Sequence, residues 1–267
     1  MAQGFSFASV ILSYFLVGGG MFTGTLVAGQ LHLHSEYIWY AALAVGAFVG
    51  GFIAARASRG STIVEPAIGA VAVVGTIIAL AATTPIGQLV WSLAQDQTMK
   101  FVGSVGVSSI VGALIGAAIS EKLFGKSTGS SIPWLLYSAL STFGASLLAT
   151  LFASLLFMSG QANKLDASVV ILIGLAAGCL VAGLAIGASS RVRPLLSALL
   201  GGGLGVAGFC ALIAGATPTD RDTQAGMVIL AVGGGILTLI GTAIGWAAVG
   251  RRHEPNLPPA VGRVVPR

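Results

Sequence analysis

The chain has 267 residues, 55% hydrophobic and only 8% charged, with a mean hydropathy of +0.96. A soluble domain carries about 25% charged residues, so a water-facing surface is excluded and lipid must cover most of the molecule. The net charge of +5 comes from basic residues in short loops and a tail, which reads as membrane orientation and not as nucleic-acid binding.

A helix needs about 20 apolar residues to cross a hydrocarbon core about 30 Å thick. The first such run covers 6–29. Met1 to Ser9 lacks the basic start of a cleaved signal peptide, so this run is expected to be retained as a span. The loop after it carries His32-x-His34-x-Glu36. These are ligand types for zinc or copper, and Asp220 and Asp222 could come near. Three ligands on a loop without fixed secondary structure fall short of a metal site. A solvated interfacial loop is expected, with no metal and no cofactor.

The second span, 36–56, opens with Tyr37, Trp39 and Tyr40 at an interface and ends ahead of Arg56 and Arg59. The third, 65–86, opens on Glu65-Pro66. A residue before proline avoids α geometry, which places Glu65 at the N-cap. Two readings of Glu65 stay open. One is a capping carboxylate paired with Arg56 or Arg59; the other is a gate at the inner mouth, formed with Arg193.

Residues 88–99 are too polar to lie deep in lipid. They read either as a short amphipathic helix on the surface or as an extension of the third span. The fourth span covers 101–121. The loop beyond it, Gly125-Lys126-Ser127-Thr128, resembles the end of a phosphate-binding loop. That pattern needs a glycine where Ser120 stands, so nucleotide binding is not expected.

The fifth to eighth spans cover 132–158, 167–189, 194–215 and 226–248. Trp134 and Tyr137 fall at the inner start of the fifth, and Trp246 at the inner end of the eighth. Residues 251–267 hold Pro255, Pro258, Pro259 and Pro266 and read as a disordered basic tail, open to anionic lipid or a partner. The fold class is therefore all-α: a polytopic integral membrane protein of about eight transmembrane helices in one membrane domain, 1–250. Cys179 and Cys210 lie inside apolar runs and form no redox motif.

Orientation follows from the basic residues. The side shared by the two termini holds ten lysines and arginines and the opposite side three, Lys100, Lys164 and Arg221. Under the positive-inside rule this predicts both termini in the cytoplasm, in a bacterial inner membrane.

The inward-running helices end on similar phrases: Gly50-Gly-Phe-Ile-Ala, Gly112-Ala-Leu-Ile-Gly, Gly183-Leu-Ala-Ile-Gly and Gly241-Thr-Ala-Ile-Gly. Pro66, Pro133 and Pro194 open three of the outward-running helices, where a missing N–H is harmless. A four-helix half present twice, 1–127 and 128–250, accounts for both patterns and makes a 4+4 parallel internal repeat. The phrase from Gly50 to Arg56 resembles hairpins of small bacterial multi-spanning membrane proteins and implies no activity.

Small-xxx-small pairs such as Gly20/Gly24, Gly46/Gly50 and Gly183/Gly187 favour close helix crossings, and some are free to face a partner. No serine elbow, paired acid set or aspartate cluster is present, so no enzyme activity is expected. The functional expectation is a non-catalytic structural or accessory subunit that contacts lipid and other membrane subunits or itself. The alternative is a transporter or channel for a small neutral or apolar solute.

Overall fold

A computed structural model describes residues 6–31, 35–58, 63–84, 88–89, 92, 95–124, 131–158, 166–190, 194–214 and 220–249. These residues form eight long helices and no strand. They are α1 (Phe7–Gln30), α2 (Glu36–Ala57), α3 (Val64–Thr83), α4 (Gln95–Phe124), α5 (Ser131–Met158), α6 (Ala167–Ser189), α7 (Leu195–Ala214) and α8 (Arg221–Val249). Seven are long and apolar enough to cross a membrane; the exception is α3, whose continuous apolar stretch is Val64–Ala79. The chain is thus multi-pass and all-helical.

The helices sort their side chains by size more than by polarity. On α8, Val232, Ile236, Ile240 and Ile244 are exposed, while Gly234, Gly235, Thr238, Gly241, Thr242 and Gly245 are buried. Residues four apart share one helix face. The same spacing exposes Val107, Val111, Ile115 and Ile119 on α4 and Leu196, Leu200 and Leu204 on α7. Bulky aliphatic chains face outward, where lipid solvates them at no cost. Small residues face inward, where they let backbones touch.

The glycines mark the crossings. A methyl on Gly46 would overlap the Gly20 carbonyl oxygen, and one on Gly116 would overlap the Phe48 carbonyl oxygen. In the second half of the chain, Gly183 and Gly187 stand in the same way against Thr238 and Thr242.

Two groups of four helices result. In the first, α1 packs on α2 and α3, and α4 packs on α2 and α3. In the second, α5 packs on α6 and α7, and α8 packs on α6 and α7. The groups meet mainly through α1 against α5 and α6. There a Cβ on Gly19 would stand 2.8 Å from the Cα of Gly144. On the side of the termini, Leu12, Leu16, Ala54, Ala57, Trp134, Tyr137, Ala185 and Ile186 close the joint in one buried cluster.

Three expectations change. Trp134 and Tyr137 are buried, edge-to-face with centroids 5.5 Å apart, and not at a lipid interface. The bulk needed to fill the wide end of the joint draws them inward. Residues 95–99 belong to neither expected element: they are the first turns of α4, which runs out past its apolar stretch and leaves Met99 and Lys100 exposed. Likewise α8 starts at Arg221, five residues before its apolar run, because Asp220 caps it: its Oδ1 accepts the Thr223 N–H at 2.9 Å.

Candidate functional site

Glu65, the nearest case in the sequence to an ionisable residue within a span, has a fully buried side chain, with 0% exposure. Burying a carboxylate is costly unless donors satisfy it. Two donors come from separate helix ends. The backbone N–H of Ser6, the N-cap residue of α1, donates to Glu65 Oε1 at 2.7 Å. The hydroxyl of Ser58, the C-cap residue of α2, donates to Oε2. Glu65 itself lies in the first turn of α3.

One side chain therefore ties three helix ends together on the side of the termini. It also stands at the N-terminal, partly positive ends of both α1 and α3, where a negative group is favoured.

The location differs from the expected N-cap. The helix begins at Val64, with the Ala67 N–H donating to the Ile63 carbonyl at 3.2 Å. The two anchors on the carboxylate hold Glu65 inside the first turn and outweigh the preference imposed by Pro66. Of its expected partners, Arg56 lies in the last turn of α2 and is half-buried. Arg59 and Arg193 lie outside the described residues, as do His32 and His34. Glu36 opens α2, and its side chain lies outside the description. Among the described residues, no three His, Cys, Asp or Glu side chains are grouped to hold a metal ion. The phosphate-loop look-alike at 125–128 and the tail at 251–267 also lie outside the described residues.

Sequence reading looked to arginines for Glu65 and missed both serines. The available signal was Ser6, a residue type that caps helices, directly ahead of an apolar run.

A second polar feature runs through α5 to α8. Ser138, Ser141, Thr142 and Ser146 of α5 and Thr238 and Thr242 of α8 are all fully buried. Most bond to backbone: Ser146 to the Thr142 carbonyl at 2.7 Å, Thr238 to the Gly234 carbonyl at 2.8 Å. Thr242 reaches across to the Gly183 carbonyl at 3.1 Å and links α8 to α6. The free thiol of Cys179 lies within hydrogen-bond reach of Ser146 and Thr238. The Thr142 hydroxyl has no hydrogen-bond partner. Among the described residues this seam holds no base to activate a hydroxyl or thiol. Its bonds run within and between helices and hold α6 to α8.

Among the described residues, a groove of about 440 Å³ lies between α1 and α2, and one of about 370 Å³ lies among α1, α5, α6 and α7, bordered by Phe22, Leu147, Ile171 and Phe209. No protein-family model matches the chain, and no curated protein or solved structure matches it either.

Proposed function

We propose that this chain is a non-catalytic, multi-pass membrane protein that serves as a structural or accessory subunit of a membrane complex. One observation carries the reading. Gly75, Gly103, Gly226 and Gly233 have open space where a Cβ would stand. A helical glycine costs up to about 1 kcal/mol against alanine, and in a membrane it is repaid where it lets another helix approach. These four serve no crossing within the described chain, so a partner helix is their natural use. Gly75 on α3 is flanked by the exposed Ala72 and Ala79, and Gly103 on the adjacent α4 by the exposed Ser104.

The test is purification in lipid nanodiscs, followed by mass determination and identification of co-purifying chains. A stable companion that is lost in Gly75→Leu or Gly103→Leu supports the reading. A lone monomer that keeps its mass in both variants overturns it.

The second reading is a transporter or channel for a small neutral or apolar solute. It is favoured by the identical pairing order in the two groups of four helices, which fits a duplicated unit, 1–127 and 128–250, with parallel halves. Its test is solute flux into proteoliposomes, compared between the parent chain and Glu65→Gln. For orientation we infer both termini in the cytoplasm of a bacterial cell, with the membrane its inner one, on the ten-to-three division of basic residues. Reporter fusions at Arg267 and in the Lys164 loop should report opposite sides.

A further inference from the structure

α1 and α2 touch backbone to backbone in the half of the membrane away from the chain termini. A methyl on Gly20 would overlap the Gly46 carbonyl oxygen, and one on Gly24 the Ala42 carbonyl oxygen. Helices pressed together without side chains at their seam leave a trough along it, walled by the side chains on either flank. Here the walls are Val27, Leu31, Ile38, Val45 and Val49, with Leu140 of α5 at the deep end. Thr23 is the one hydroxyl among the lining residues, and it donates to the Gly19 carbonyl at 2.6 Å. The trough is therefore apolar throughout.

Depth distinguishes among occupants. From Gly20 to Leu31 the trough follows α1 for about 16 Å at 1.5 Å per residue. That is about half of a hydrocarbon core ~30 Å thick. It runs from mid-membrane to one surface and stops at Leu140, just above the α1–α5 crossing at Gly19 and Gly144. A partner's transmembrane helix is about 10 Å wide and runs the full thickness, so it does not fit a trough one leaflet deep.

An acyl chain hanging from a headgroup matches that reach.

We propose that the α1–α2 trough binds one acyl chain of a lipid from the leaflet distal to the termini. Burial of each methylene contributes about 0.8 kcal/mol, so affinity rises steeply with chain length until the trough is full. The proposal stands independently of the accessory-subunit reading.

The test is native mass spectrometry of the full chain, washed in detergent and incubated with phosphatidylcholine of defined chain length. Dipalmitoyl lipid should be retained at one per chain, at least tenfold above dioctanoyl lipid. Ala41→Trp, which puts an indole into the trough, should lower retention at least fivefold. Val232→Trp, on the exposed face of α8, should leave it unchanged. Equal retention of the two lipids by the parent chain overturns the proposal, as does full retention by Ala41→Trp or a lipid-free dimer. Should Ala41→Trp not fold, the chain-length series on the parent decides alone.

Discussion

The two four-helix groups share an order of pairing and differ in what fills them. The α1–α4 group is packed with bulky apolar side chains: Val17, Met21, Leu43, Val73 and Val105, with small Ala47, Ala70 and Ala113 between them. The α5–α8 group has an apolar cluster of its own, with Leu175, Val206 and Phe209, sets the buried hydroxyls of Thr142, Ser146, Thr238 and Thr242 and the Cys179 thiol beside it, and brings α7 and α8 together closely. A Cβ on Gly202 would stand 2.6 Å from that of Thr238, and one on Gly235 2.7 Å from the Leu199 carbonyl oxygen. The matching α3–α4 seam is looser. Gly106 there comes near only Val74, at 3.2 Å, and Gly75 and Gly103 meet nothing. Core composition can thus shift while the pairing order stays. What stays constant is the glycine at the α1–α2 and α2–α4 crossings and at their counterparts α5–α6 and α6–α8, so backbone approach sets the pairing and the core adapts to it.

The strongest way to break that comparison is to widen one crossing in each group. Gly46→Leu and Gly187→Leu should each cost about 3 kcal/mol or more, because backbone carbonyls cannot move aside as side chains do. Thermal unfolding in detergent should show both near or below the threshold of folding, whereas Gly75→Leu should stay within about 0.5 kcal/mol of the parent. Equal tolerance at Gly46 and Gly75 would mean that glycine does not set the pairing.

Next in size is Glu65→Ala, which removes the acceptor of two hydrogen bonds to a charged group. A loss of about 1.5–3 kcal/mol is expected, with increased proteolysis at the N-terminal end of α1. Glu65→Gln should lose less, since its amide oxygen can still accept from Ser6. A smaller effect of opposite sign is expected within the α5–α8 group. Thr142→Val removes a buried hydroxyl that has no partner and should stabilise by about 1 kcal/mol. The comparison Thr238→Val, which loses a bond to Gly234, should not.

The smallest effect is a pH dependence at the mouth of α8. Asp220 is held below the ordinary aspartate value by bonds from the Thr223 hydroxyl and backbone N–H. Its folded-state pKa is depressed, so the cap's contribution is complete above the unfolded value of about 3.9 and is lost as pH falls through the lower folded value. Amide exchange at Thr223 should therefore rise only below about pH 4, and Asp220→Asn should abolish that rise.

Much of the architecture was legible because lipid imposes simple rules. Eight apolar runs give eight helices, seven of them long and apolar enough to span. Less legible were the ends that leave the membrane. Gln95–Met99 and Arg221–Gly226 are helical beyond their apolar stretches, and hydropathy carries no signal for a helix that continues into water. The inward faces were partly legible. Pairs such as Gly20/Gly24 and Gly183/Gly187 stand at crossings, but the outward stripe Val232, Ile236, Ile240 and Ile244 is a pattern of size that a polarity scan passes over.

The site was half legible. Glu65 stood out as the nearest case to an ionisable residue within a span, while its partners did not, since Ser6 contributes a backbone N–H that no side-chain pattern announces. Trp134 and Tyr137 carried an interface signature and are instead the bulk that seals the two groups together.

The Glu65 knot also bears on the order in which the chain is made. Ser6 leaves the ribosome 59 residues before the carboxylate that accepts its N–H. Until the third helix enters the bilayer, the first turn of α1 keeps an unanswered donor, and the C-cap hydroxyl of α2 has no acid to bind. The first hairpin thus arrives complete in its spans but unfastened at its base. The arrival of α3 supplies the acceptor for both, so the third helix fastens the first two at their base.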